Sequence, residues 1–250
     1  MIDIHAHILP GLDDGSDRTL TSLRMAELAV RSGVTDLIAT PHSNQRGRFE
    51  NYADGRLPER FSRLRAVLAR EAPELRLHLG MEVYATSDMA DLYREGKLLT
   101  LAGSRYLLME FGFHDDAYYM DHVLRDVLDT GVTPILAHPE RYHALQALPD
   151  IMADWVRSGV HMQINKGSLT GFFGRESFRL AVTMLNHDLA SFVASDAHRS
   201  DQRTPVLRDA WHWIAMHYSD GLAERLLRRN PQRVLRNEPL IECEAFPFQN

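Results

Sequence analysis

Ile2-Asp3-Ile4-His5-Ala6-His7 opens a chain of 250 residues with a short β-branched run that ends on two histidines. Alternate residues of a strand point the same way, so His5 and His7 can offer two imidazoles to one ion. Such a pair is weak evidence alone, because most His-x-His pairs are ordinary core or surface residues. This one gains weight because the same arrangement, an apolar run closing on a metal-binding side chain, recurs along the chain.

Strands are predicted at Ile2–His5, Thr35–Thr40, Leu75–Val83, Arg105–Phe111, Val132–Ala137, Val160–Ile164 and Ser191–Ala194. Amphipathic stretches between them predict helices at Ser16–Ser32, Pro58–Glu71, Tyr118–Thr130, Leu148–Ser158, Arg175–His187 and Thr204–His217, with a last one at Gly221–Arg229. Gly33, Gly131 and Gly159 each follow a helical stretch and precede a strand, as helix C-terminal glycines do. Strands alternating with helices predict an α/β fold with mostly parallel strands. The length suits one barrel-like domain, expected over 1–236, with residues 237–250 a tail in which Pro239 and Pro247 oppose regular structure.

The second strand ends Ala39-Thr40-Pro41-His42, the third Gly80-Met81-Glu82 and the fourth Leu108-Met109-Glu110. The fifth runs Ile135-Leu136-Ala137-His138-Pro139-Glu140-Arg141, and the seventh Ala194-Ser195-Asp196-Ala197-His198. The sixth offers Asn165 and Lys166 instead. C-terminal strand ends of a parallel barrel meet on one face, where active sites are built. After the first strand, Asp13-Asp14-Gly15-Ser16 reads either as an N-cap turn for the next helix or as a ligand loop, one aspartate capping while the other binds metal.

Imidazoles and carboxylates without a thiolate suit Mn, Fe or Zn better than a soft ion or an oxygen-only Ca or Mg site. Five histidines and four carboxylates are too many for one ion and suit a cluster of two or three. Three divalent ions carry roughly +6 against roughly −4 from Asp14, Glu82, Glu110 and Asp196, a surplus that favours a phosphate dianion and a metal-bound hydroxide. Arg141 and Arg203, shortly after His138 and His198, could clamp phosphate oxygens.

Composition narrows the classes. Formal charge is −6 and no Lys/Arg-rich run stands out, which gives no sign of a nucleic-acid partner; Arg225, Arg228 and Arg229 read as a solvated helix end. No signal peptide and no bilayer-spanning apolar run is visible, so membrane insertion is not expected. The single cysteine, Cys243, permits no internal disulfide, fits a reducing cytoplasm, and lacks any phosphate-cradling loop that would activate a thiolate.

These motifs together, with Gly167-Ser168-Leu169-Thr170-Gly171-Phe172-Phe173-Gly174, resemble the PHP (polymerase and histidinol phosphatase) superfamily over almost the whole chain. More narrowly, the chain resembles the CpsB/YwqE-type bacterial protein tyrosine phosphatases. The resemblance implies a distorted seven-stranded (β/α)7 TIM-like barrel with three divalent ions, commonly Mn2+. It implies His5, His7, Glu82 and Asp196 around the first ion, Glu82, Glu110 and His138 around the second, and Asp14, His42 and His198 around the third. It also implies metal-hydroxide attack without a phosphoenzyme, on the phosphotyrosyl tail of a tyrosine kinase controlling capsule or exopolysaccharide synthesis. Relatives form rings or smaller assemblies, so a homo-oligomer is left open. Competing readings are a small-molecule phosphatase of the histidinol-phosphate kind, an amide hydrolase or phosphodiesterase, and a non-catalytic metal-binding regulator. Phe113, Tyr118 and Tyr119 are candidates to border a phenol pocket, packing being the commoner role; His114 is the one other histidine kept in reserve.

Overall fold

The computed structural model describes residues 1–242 and 244–246; Cys243 and Pro247 lie outside the described residues. Every strand pair is parallel. One sheet has the order β1 (Ile2–Ala6), β2 (Asp36–Ala39), β4 (Arg76–Leu79). The other runs β3 (His42–Ser43), β5 (Glu82–Tyr84), β6 (Tyr106–Glu110), β7 (Thr133–Ala137), β8 (His161–Asn165), β9 (Ala190–Ala194). The predicted second and third strands are therefore each broken in two, at Thr40-Pro41 and at Gly80-Met81. Pro41 has no amide hydrogen to give the ladder, and a Cβ on Gly80 would stand 2.9 Å from the Leu101 side chain, so the chain must bend where only glycine fits.

Bonding continues across both breaks, with Gly80 N donating to Ala39 O at 2.9 Å and Glu82 N to Pro41 O at 3.2 Å. Beyond β9, Asp196 N donates to His5 O (2.9 Å) and His7 N to Ala197 O (2.8 Å), so the last strand returns to the first.

The strands bury both faces, as βαβ units require. Leu37, Leu107, Met109, Leu136, Met162 and Val193 join the apolar sides of the helices, among them α1 (Thr19–Arg31), α2 (Arg56–Glu71) and α4 (Ala117–Leu128). Ile2, Ile4, Ile38, Tyr106, Leu108, Ile135 and Phe192 form a second cluster from the opposite strand faces. On β1 this parity changes: Asp3 and Ala6 pair with Leu37 and Ala39, three steps against two. That one-residue bulge leaves Ile2 and Ile4 in the second cluster and puts Ala6 in the first, so the face Ile4 occupied passes to His5 and His7.

Several short elements were not expected: α3 (Met89–Arg94), α5 (His143–Ala147) and α7 (Lys166–Leu169). Leu148 and Pro149 precede rather than enter α6 (Ile151–Arg157). The remaining helices are α8 (Arg175–Asn186), α9 (Arg208–His217), α10 (Asp220–Glu224) and α11 (Asn230–Leu235), the last two joined by a π-helical turn, Arg225–Arg229. Arg225 is not the solvated residue expected; it pairs with Asp188 and its side chain is largely buried. Beyond α11 the described residues pack without helix or strand: Asn237 Oδ1 accepts from Arg105 N at 2.9 Å, and Leu240 is buried in the second cluster. Among the described residues no helix is long and apolar enough to cross a membrane.

Candidate metal centre

The loop after β1 folds back over His7. Ser16 N donates to His7 O (2.9 Å) and Gly11 N to Ser16 O (2.8 Å), bringing Gly15 so close that a Cβ there would lie 2.3 Å from His7 Cβ. Neither aspartate caps the following helix, which starts at Thr19 with Arg18 as its uncapped N-cap residue; the capping alternative is thereby corrected. Asp13 instead takes the His7 Nδ1–H (2.8 Å) and the His42 backbone N–H (2.9 Å) on one oxygen and the Gly15 N–H (2.9 Å) on the other. Asp14 points the other way, its Oδ1 standing 3.5 Å from His42 Nε2 and 3.4 Å from His198 Nε2.

All nine candidate ligands meet on one face, where β1, β6, β7 and β9 end and where β2 and β4 give way to β3 and β5. Donor atoms of His5, His7, Glu82 and Asp196 lie within 4.8 Å of one another, as do those of His7, Asp14, His42 and His198, and those of His42, Glu82 and Glu110. The first grouping is the one expected for the first ion. The set expected for the third ion gains His7, and the set expected for the second gathers His42 where His138 was expected. His138 Nε2 nevertheless stands 2.9 Å from Glu82 Oε1 and 3.8 Å from Glu110 Oε2.

Three histidines are fixed from behind. His5 Nδ1–H donates to Gln163 Oε1 (2.7 Å), His7 to Asp13, and His198 to the Asp196 carbonyl (3.0 Å). Each bond sets the tautomer and leaves Nε2 as a lone-pair donor facing the cluster, the arrangement found behind metal-binding imidazoles.

The cluster's charge calls for a cation. Burial opposes ionisation of Glu82, yet His5, His42 and His138 hold it well below the usual carboxylate range. Burial would likewise lower His42, but Glu110 and Glu82 pull it up to about 10. The His198 ring keeps Asp14 below the ordinary carboxylate range. Glu82 Oε2, Asp196 Oδ1 and His198 Nε2 are buried without a well-formed hydrogen bond and face only the other candidate ligands, His42 at 3.0 Å from the first, His5 and His7 at 3.4 Å from the second and Asp14 at 3.4 Å from the third. Leaving such groups unpaired is costly. Divalent ions would satisfy lone pairs and carboxylates together, so the donor set fits the implied metals.

Above the cluster a cleft of about 600 Å³ is walled by Arg46, Arg48, Arg141, Arg203, Phe113 and Gln45, among others. Arg141 Nη1 lies 3.7 Å from Asp196 Oδ2, and Arg203 bonds the same oxygen. Phe113 lines the cleft, whereas Tyr118 is exposed to solvent and Tyr119 packs edge-on against Phe111. His114 packs against His143 at 4.6 Å and is not among the clustered donors. The sequence marked the sixth strand's amides as donors but not what they hold: Gln163 backs His5, and Asn165 Nδ2 donates to Asp196 Oδ2 (2.6 Å); Asp13's role went unread. Two amides at i, i+2 closing the strand, on the same side of it, were the available signal.

The family model for capsular polysaccharide synthesis, CpsB/CapC, matches residues 1–236. Tyrosine-protein phosphatase YwqE of Bacillus subtilis (strain 168) is 32% identical over 249 residues, spanning 100% of this chain and 97% of the relative. Tyrosine-protein phosphatase CpsB of Streptococcus pneumoniae is 32% identical over 244 residues, 95% of this chain and 99% of that one. The crystal structure of YwqE, described with CpsB as unique metal-dependent tyrosine phosphatases, superposes with a TM-score of 0.93 at 32% identity over 100% of both chains. A phosphotriesterase from Mycobacterium tuberculosis, 14% identical with a TM-score of 0.53 over 96% of this chain and 94% of that one, shares the fold alone.

Proposed function

Because the chain belongs to the CpsB/CapC family of capsular polysaccharide synthesis, we propose that it is a metal-dependent protein tyrosine phosphatase on a distorted seven-stranded barrel. The observation that carries this reading is the convergence of five imidazoles and four carboxylates from six strand ends beneath two arginines. His5, His7, Asp14, His42, Glu82, Glu110, His138, Asp196 and His198 would hold three divalent ions; their nitrogen and oxygen donors suit Mn, Fe or Zn, and the resemblance to manganese-loaded phosphatases favours Mn2+. Ions so held supply Lewis-acid charge and make a nucleophile available from water at neutral pH.

The protein's own groups prepare the rest. Gln163, Asp13 and the Asp196 carbonyl keep three imidazoles aimed inward. Arg141 and Arg203, which converge on Asp196 Oδ2, present donors to the equatorial phosphate oxygens. Phe113, 39% exposed beside Arg141, offers a face to the aryl ring of the substrate. No step uses a protein nucleophile, so no phosphoenzyme forms. The partner on this reading is the phosphorylated tail of a bacterial tyrosine kinase in the cytoplasm.

The test compares metal-stripped and metal-restored enzyme on a phosphotyrosyl peptide, an aryl phosphate and histidinol phosphate. Restored turnover of the first two is expected. Turnover of histidinol phosphate with none of the peptide would exclude the tyrosine assignment in favour of a small-molecule phosphatase.

A further inference from the structure

Phe173 stands under both arginines. The Arg141 guanidinium carbon lies 4.1 Å from the Phe173 ring centroid and that of Arg203 5.7 Å; the Phe113 centroid also lies 4.5 Å from the Arg141 guanidinium carbon. The ring packs directly on the backbone of Gly167 in α7, where an added Cβ would sit 2.6 Å from Phe173 Cε2. The same helix fastens the segment carrying Arg203, where Lys166 Nζ donates to Val206 O (2.8 Å) and Thr204 Oγ1 (3.3 Å). Asp196 gives the two arginines a single shared carboxylate oxygen.

We propose that Phe173 is a positioning residue that sets the pitch of both phosphate-binding arginines without itself taking any of their N–H groups. A carboxylate would hold a guanidinium by occupying its donors, and those donors are what a phosphate needs. An aromatic face attracts the guanidinium through the ring quadrupole and leaves the in-plane N–H fork available. One phenyl ring can thus orient two arginines without adding a second carboxylate to the single Asp196 oxygen they share. This inference rests on the assignment of Arg141 and Arg203 as the phosphate clamp, and the test separates the two.

Phe173→Leu keeps apolar bulk but removes the π face, at a partly buried position whose loss should leave folding intact. It is expected to raise the inhibition constant for inorganic phosphate and the KM for aryl phosphate by about tenfold, with kcat changed less. Phe173→Tyr should restore both. Gly167→Ala, which pushes on the ring without removing it, should shift both constants the same way. In an Arg141→Ala, Arg203→Ala background Phe173→Leu should have no further effect, because it acts through those side chains. Full-strength phosphate binding in Phe173→Leu, or an equal loss in the arginine-free background, would overturn the positioning role. Unaltered phosphate binding in the arginine-free enzyme itself would instead remove the clamp assignment.

Discussion

Gly15→Ala should cripple the enzyme through sterics alone. Gly15 is not among the glycines with positive φ, so alanine meets no backbone prohibition there. The added Cβ would lie 2.3 Å from both His7 Cβ and His7 O, and 2.9 Å from Asp13 Oδ1. Ordinary contact begins at 3.4 Å, so the loop must retreat by about 1.1 Å against atoms that belong to β1 or its immediate exit. Such a retreat strains the Ser16–His7 hydrogen bond and moves Asp13 and Asp14 away from His7, His42 and His198. A displacement of about 1 Å at a reacting centre costs on the order of 100-fold in rate. Overpacking adds about 1–3 kcal/mol of instability, which for a chain of this size is several degrees in Tm. The assay is kcat/KM for an aryl phosphate across a metal titration, with a thermal melt alongside. A variant within about threefold of the parent at limiting metal would refute the close-packed loop as a determinant of the site.

Asp13→Asn should weaken metal binding by about 10- to 100-fold, because one amide oxygen cannot replace a carboxylate that takes three N–H groups; half-maximal activation in a metal titration reads this. His138→Ala should abolish turnover on phosphotyrosyl peptide, whereas Cys243→Ser should leave it within about twofold; the reverse pattern would point to thiol chemistry. His161, partly buried beside Tyr106 and Phe192, has its pKa lowered by burial to about 4. The unfolded chain then binds the proton first, so stability is intact above about pH 6.5 and falls as pH drops towards 4. By pH 5 the loss is at most about 2 kcal/mol relative to pH 8, given partial exposure. Urea midpoints at both pH values should fall further for the parent than for His161→Gln; identical falls would exclude this group.

The candidate ligands were legible because parallel strands bring their C-terminal ends together whatever their separation in sequence. His5 and Asp196 are 191 positions apart and meet at 3.4 Å, a proximity that the apolar run before each of them foretold. What remained hidden depends on backbone irregularity. The β1 bulge, which hands the face of Ile4 to His5, has no glycine or proline to mark it. The breaks in the second and third strands did carry markers, Pro41 and Gly80, but each sits inside an apolar run that reads as continuous. Asp13 and Asp14 look alike in sequence; only the fold of the loop over His7 sends one to the ring's Nδ1 and the other to Nε2 of His198. Phe173 was visible as part of a motif, yet nothing local says that its ring lies under two arginines from different loops.

The central claim is that the nine residues hold catalytic ions, and elemental analysis coupled to activity tests it most directly. Protein stripped of metal, restored with Mn2+ and freed of excess should bind about three ions per chain, with turnover of phosphotyrosyl peptide absent before restoration and rising with occupancy. Full turnover by protein free of divalent metal would contradict the account.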